Sequence, residues 1–138
     1  MTRIFASLIV ALLLFPATAF AESVDWDDLV ERDGLNYKKF TDEPFDGEVT
    51  GKRQGSFSNG EKHGPWVKYH DNGQLRFKGV YKNGKKDGPW KSYWENGQLW
   101  KKVTYKNDKM EGYWESYDWK GQLVEKSTGT YKNGVKVD

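Results

Sequence analysis

The chain repeats itself every 24 residues, and that feature limits its folds more than any other. Gly64-Pro65-Trp66 recurs as Gly88-Pro89-Trp90 and Gly112-Tyr113-Trp114. Tyr69, Tyr93 and Tyr117 follow at the same interval, as do Gly73-Gln74-Leu75, Gly97-Gln98-Leu99 and Gly121-Gln122-Leu123. Tyr81-Lys82-Asn83-Gly84 returns as Tyr105-Lys106-Asn107-Asp108 after 24 residues and as Tyr131-Lys132-Asn133-Gly134 after a further 26. Phe57-Ser58-Asn59-Gly60 is a weaker early copy. Units this short cannot each bury a core, so stability must be collective along a stacked array. On this reading Trp90→Ala, in the middle unit, destabilises more than the outer Trp66 or Trp114 changes. The repeated Trp and Tyr rings are expected to stack between successive hairpins.

Each unit contains two turn signals, Asn72-Gly73 or Asn96-Gly97 and then Asn83-Gly84 with Asp87-Gly88 nearby. Asn-Gly suits the two positive-φ positions of a type I′ hairpin turn. Between turns, Leu75–Tyr81 alternates and sets Leu75, Phe77 and Tyr81 on one face, as the copy does with Leu99, Val103 and Tyr105. Trp66 and Tyr69 are three apart, so a bulge or an early turn must intervene. After Ala21 there is no Ala and no Ile, only 14 Val and Leu, against 19 aromatics and all 15 Gly. That composition excludes a helical bundle and disfavours a parallel-sheet dinucleotide fold. The pattern predicts an all-β protein: a single-layer antiparallel meander of repeated β-hairpins, two short strands per unit.

The ends differ from the repeats. Arg3, the apolar stretch Ile4–Phe15, Pro16 and Ala19-Phe20-Ala21 form a signal-peptide pattern, cleaved after Ala21. The apolar stretch is well short of the roughly 20 residues of a membrane span. A periplasmic or secreted location follows as an expectation. Residues 22–54 form an acidic leader, and residues 55–138 the repeats, about three full units plus a partial one. Glu22–Glu48 holds ten acids against three bases, whereas Val49–Asp138 holds eighteen bases against ten acids. Leu29–Arg32 and Leu35–Lys38 around Asp33-Gly34 read as a capping hairpin. Lys136 and Asp138 place charges at the far edge, where they discourage strand addition.

The pattern Gly-Pro-Trp…Tyr…Asn-Gly-Gln-Leu…Tyr-Lys-Asn-Gly-Lys resembles the MORN-type repeat, in the bacterial variant often called the YwqK-type antitoxin family. Leu29-Val30-Glu31-Arg32-Asp33-Gly34-Leu35 and Pro44-Phe45-Asp46-Gly47 are similar to the leader that introduces those repeats. The likeness runs from about Leu29 to Gly134. Asp108 departs from it by replacing a turn glycine, and Ser127-Thr128 by adding two residues. The resemblance implies a sheet of repeated hairpins, no known catalytic residue, and a role in scaffolding or binding.

Three kinds of site are conceivable. Lys82, Lys106 and Lys132 hold equivalent places, with Lys85, Lys86 and Lys109 in the following turns. At two strands per unit, such a row spaces its charges by roughly 10 Å. It could meet a repeating anion, or be no more than a solvated strand. Trp94, Trp100 and Trp119 lie outside the repeat consensus, at places that sister units fill with His, Asp, Arg, Val or Glu. They are expected to be exposed, for partner or sugar contact, or else to fill irregular turns. Catalysis finds little support: His63 and His70 exchange with Asp, Glu and Trp in sister units, and no Cys is present. Glu61, Glu95, Glu111 and Glu115 show no spacing that singles out a carboxylate pair. No metal site or cofactor is indicated.

The expectation is an exported, non-enzymatic module, monomeric or weakly associated end to end, that binds a protein partner or an anionic lipid or glycan of the envelope. The alternatives are an antitoxin or immunity protein acting on a periplasmic toxin and, from another class, an envelope glycan hydrolase. Nucleic acid is disfavoured by export and by a near-neutral mature charge.

Overall fold

The computed structural model describes residues 22–138, so the Met1–Ala21 segment read as a signal lies outside the described residues. Strands β1 (Ser23–Asp25), β2 (Leu29–Arg32), β3 (Leu35–Lys38), β4 (Gly47–Thr50) and β5 (Arg53–Ser58) come first. Next are β6 (Glu61–Tyr69), β7 (Leu75–Lys82), β8 (Lys85–Lys86), β9 (Gly88–Tyr93) and β10 (Leu99–Lys106). The chain ends with β11 (Lys109–Met110), β12 (Gly112–Ser116), β13 (Gly129–Lys132) and β14 (Val135–Lys136). The one helical element among the described residues is a 3-10 turn at Trp26–Asp28. The strands form one sheet in the order β1-β4-β5-β6-β7-β9-β10-β12-β13-β14, with β8 on β7 and β11 on β10, while β2 and β3 make a separate hairpin.

The all-β meander of hairpins is therefore present, with one departure from strict antiparallel order. Strand β1 runs parallel to β4, pairing Val24 with Val49. A strand added from outside the hairpin series is free of the turn constraint that makes its neighbours antiparallel. The expected boundary between residues 54 and 55 falls inside β5.

Local chemistry explains the hairpins. Asp33-Gly34, Asn59-Gly60, Asn83-Gly84, Asn107-Asp108 and Asn133-Gly134 all place both central residues at positive φ, the type I′ geometry. At the fourth turn Asp108 sits at φ 66, a conformation Asp tolerates, and its carboxylate accepts the Lys86 N–H at 2.6 Å. The Asn72-Gly73 and Asn96-Gly97 loops are not type I′, contrary to expectation: only the glycine is left-handed there. Gly73 donates to the His70 carbonyl at 3.0 Å, while the Asn72 side chain accepts from the Gln74 N–H at 3.0 Å. This is a type I turn closed by a left-handed glycine, steadied by an asparagine that mimics backbone.

Contrary to expectation, no bulge or turn intervenes between Trp66 and Tyr69: β6 alternates through them, so the odd spacing puts the two rings on opposite faces, and the bulge lies on the facing strand. The β6/β7 register slips between Lys68 and Tyr69, which leaves Arg76 as the extra residue, and Trp100 is its counterpart between β9 and β10.

Glycine decides where the tryptophans lie. A Cβ on Gly55 would meet the Trp66 ring at 2.2 Å, and one on Gly79 would meet Trp90 at 2.1 Å. Each indole thus lies flat over the backbone of the preceding strand. Its Nε1–H donates to the Ser56 carbonyl at 3.2 Å or the Val80 carbonyl at 3.1 Å. Twenty-four residues on, the place is taken by Val103. Trp114 cannot lie over it, is only half-buried, and keeps a buried Nε1 without a partner. It tilts against Tyr131 at 5.1 Å and 45° instead. The expected uniform stack is corrected accordingly: Trp66 and Trp90 are 3% and 4% exposed, whereas Trp114 has left the series. Tyr69, Tyr93 and Tyr117 join no ring pair among the described residues, because their spacing of three from each indole on an alternating strand turns them to the other face.

The core is lopsided. Val24, Phe45, Val49, Phe57 and Trp66 form one buried cluster, and Trp26, Leu29 and Tyr81 pack against it. Beyond it only Trp90 and Val103 are buried apolar residues among those described. The leader makes the difference. After β1 the 3-10 turn lays Trp26 edge-on to Trp66 at 6.1 Å, and Asn36 of the β2/β3 hairpin donates to the Gly60 carbonyl at 2.8 Å.

Candidate functional site

Pleating divides the sheet into two faces. Trp66, Phe77, Tyr81, Trp90, Val103 and Tyr105 point to one, hereafter the aromatic face. Lys78, Val80 and Lys82, alternating with them, point to the other.

On the second face, register builds a feature that spacing alone hides. Val67 pairs with Lys78, Lys78 with Lys91, Lys91 with Lys102, and Lys102 with Glu115. Three lysines therefore stand side by side on β7, β9 and β10, roughly 4.8 Å apart. Like charges directly opposite one another oppose pairing. Two ammonium groups held at the strand spacing would repel by about 0.8–0.9 kcal/mol in water, and by less as the side chains splay apart. A shallow groove lined by Pro65, Val67, Val80 and Pro89 runs beside them. The ion pairs among the described residues are Arg32–Asp42, Lys38–Glu22 and Lys52–Asp71, and none involves these three lysines.

The expected lysine row divides. Lys82 faces Lys85 across the Asn83-Gly84 turn, and Lys106 faces Lys109 across Asn107-Asp108. These four and Lys132 are exposed at the turn edge of the lysine face. Lys86 does not belong with them. It is half-buried on the aromatic face, with its Nζ 4.8 Å from the Trp90 ring and 4.7 Å from that of Tyr105. Being adjacent to Lys85 in the strand, it must point the opposite way.

The outlying tryptophans also separate. Trp94 is not exposed: half-buried, it donates its Nε1–H to the Tyr117 carbonyl at 3.1 Å. His70 uses its Nε2 in the same way on the Tyr93 carbonyl at 2.8 Å, which explains how His and Trp can exchange at this place. Trp100 lies 4.9 Å from Trp94, and its ring carries Lys101 at 4.6 Å. Trp119, 62% exposed, stands apart with Lys120 over its ring at 5.1 Å.

The structure brings Trp100 and Lys86 together at a cavity of about 220 Å³ on the aromatic face, with Trp90, Tyr81, Ser92 and Lys101 in its wall. Burial, aided by the charge of Lys86, lowers the pKa of Lys101, and burial raises those of Tyr81 and Tyr105, with Asp108 adding to both. Lys101, Lys78, Lys91 and Lys102 were not among the residues that the sequence singled out. Their meeting depends on strand register, although Lys62 and Lys86 being 24 apart was a signal that repeat arithmetic could have used. Among the described residues no group of three or more His, Cys, Asp or Glu could hold a metal ion. No helix there is long and apolar enough to cross a membrane.

No curated protein matches the chain. The family model of the MORN repeat variant matches residues 62–83 and 86–107. Those two segments run from the start of β6 to the turn after β7, and from β8 to the turn after β10. Over these two central hairpin units, the chain is similar to the MORN repeat variant.

Proposed function

We propose that the mature protein is a non-enzymatic binding module of the cell envelope, exported by Met1–Ala21, whose lysine face docks on an anionic lipid or glycan surface. The observation that carries this reading is the register of Lys78, Lys91 and Lys102 on three adjacent strands. An isolated sheet gains nothing by setting three cations side by side, whereas a surface of phosphates relieves their repulsion and gains attraction from each. Lys82 and Lys106 extend the same face toward the turn edge. The finer family reading, an exported counterpart of the bacterial YwqK-type variant, is supported by the leader motif that precedes the repeats.

Purified protein beginning at Glu22 should sediment with phosphatidylglycerol-containing vesicles or bind lipopolysaccharide, and ignore pure phosphatidylcholine. Binding should weaken steeply between low and moderate salt. Reversing Lys78, Lys91 and Lys102 to Glu should abolish it. Equal binding to neutral vesicles, or an unaffected triple variant, would refute the reading. Fractionation of cells together with N-terminal sequencing tests export; a cytosolic protein retaining Met1 would rule it out.

A further inference from the structure

The aromatic face holds a similar seat twice, and among the described residues an indole from the leader fills only one of them. In the first, Trp26 of the leader lies against Phe57 at 6.3 Å and Trp66 at 6.1 Å, with Arg53 4.4 Å and Lys62 5.2 Å from its ring. Adding 24 to each neighbour gives Tyr81, Trp90, Phe77 and Lys86, and all four line the 220 Å³ cavity. Tyr81 meets Trp90 edge-on at 5.1 Å and 90°, as Phe57 meets Trp66 at 5.2 Å and 87°. The second seat thus repeats the first with Phe77 in the place of Arg53; Phe77 lies 5.4 Å from Trp90, which is 4% exposed, and the cavity is left beside them where the first seat holds Trp26.

The leader brings carboxylates as well as the indole. Asp25, Asp27 and Asp28 flank Trp26, and Glu31 on β2 supports the charge of Lys62. Around the second seat stand Lys86, Lys101, Lys68 and Arg76. Lys101 feels burial and the like charge of Lys86, and no acid offsets them. The cavity is smaller than the roughly 300–1,000 Å³ of small-molecule sites, but one ring can enter it. A third seat is not built: Met110 replaces the lysine, and Trp114 is displaced by Val103.

We infer that the second seat captures a tryptophan flanked by Asp or Glu on an extended segment of a partner protein, as the first seat captures Trp26 of the chain itself. The ring would lie against Phe77 and Tyr81 beneath Lys86, and the flanking carboxylates would meet Lys101 and Arg76. An aromatic anchor in a pocket, with charges at its rim, is how a few residues come to dominate an interface. The site lies on the face opposite the Lys78–Lys91–Lys102 row, so either can fail without the other.

The test uses a labelled peptide with the sequence of Ser23–Arg32, titrated with the mature protein. Saturable binding is expected, weakened at least tenfold by Trp→Ala in the peptide and about tenfold by Lys86→Glu with Lys101→Glu, and unchanged by Lys78→Glu. Trp100→Ala, at the rim, should also weaken it several-fold and keeps the test open if the lysine pair disturbs folding. No saturation, or equal loss with Lys78→Glu, overturns the proposal. A mature protein that dimerises through exchange of its own leader, and loses the dimer in Trp26→Ala, also overturns it, because the occupant would then be a second copy.

Discussion

Beneath Trp66 lies Gly55 and above it Trp26; in the third unit Val103 stands where the glycine would be and Trp114 turns aside to Tyr131. The two indoles hold equivalent places in one repeat, yet the first is buried with its N–H bonded and the last is half-buried with its N–H orphaned. Trp90, seated on Gly79, is as buried as Trp66, but it packs against Phe77 at 5.4 Å and not against a leader residue. The comparison teaches that a repeated ring becomes core only when a glycine lets it lie down and a neighbour covers it. Backbone repetition is not enough. It also revises the expected ranking of the tryptophans, since the leader makes Trp66 an interior residue and not an end one.

The largest effect should come from Trp66→Ala, at roughly 3–5 kcal/mol, with Trp90→Ala close behind. Trp114→Ala should cost less, about 1–2 kcal/mol, since that ring is only half-buried and its buried N–H is unpaired. Denaturant midpoints of the three variants check this, and equal losses would erase the distinction between the units. Next, Trp26→Ala should remove about 1.5–3 kcal/mol by uncovering the first seat. An unchanged midpoint would mean that the leader does not cover that unit.

Gly79→Val gives the second unit the residue of the third and should cost about 1–3 kcal/mol by unseating Trp90. Near-ultraviolet circular dichroism should report the ring moving, and a native-like spectrum would show that glycine is not what seats it. A smaller loss, about 1 kcal/mol, is expected for Asn96→Ala, which breaks a 2.8 Å bond from its side-chain amide to the Trp119 carbonyl between adjacent loops.

The smallest effect is one of pH. Burial, with Asp108 contributing, raises the pKa of Tyr105 above its usual 10.0. The folded state therefore keeps that proton longer than the unfolded state. The resulting stability is complete below pH 10 and is lost as pH rises past it. Wild type and Tyr105→Phe should differ by a constant amount below pH 10 and diverge from it above. A constant difference at every pH would place Tyr105 in water.

Much of the fold was legible. Asn-Gly pairs demand positive φ, alternation sets the faces, and a 24-residue period requires stacked units. The parity of Trp66 and Tyr69 was visible too, but it sends the two rings to opposite faces, and the bulges lie on the facing strands at Arg76 and Trp100. Other features were hidden, because they depend on which strand lies beside which. Nothing in Lys78, Lys91 or Lys102 taken singly marks a row, as the residues are 13 and 11 apart in sequence and meet only through register. Trp94 looked like an outlier until its N–H proved to bond across to the next loop. Lys86 looked like a member of the turn-edge row until the pleat put it over two rings.

Turn chemistry and strand alternation act within a few residues, and so the chain alone determined the hairpins, their period and their number. Coverage acts between segments far apart. Trp26 meets Trp66 across 40 residues and β1 joins β4 from outside the hairpin series, so only the folded molecule decided which repeated tryptophan is core and which seat stays open.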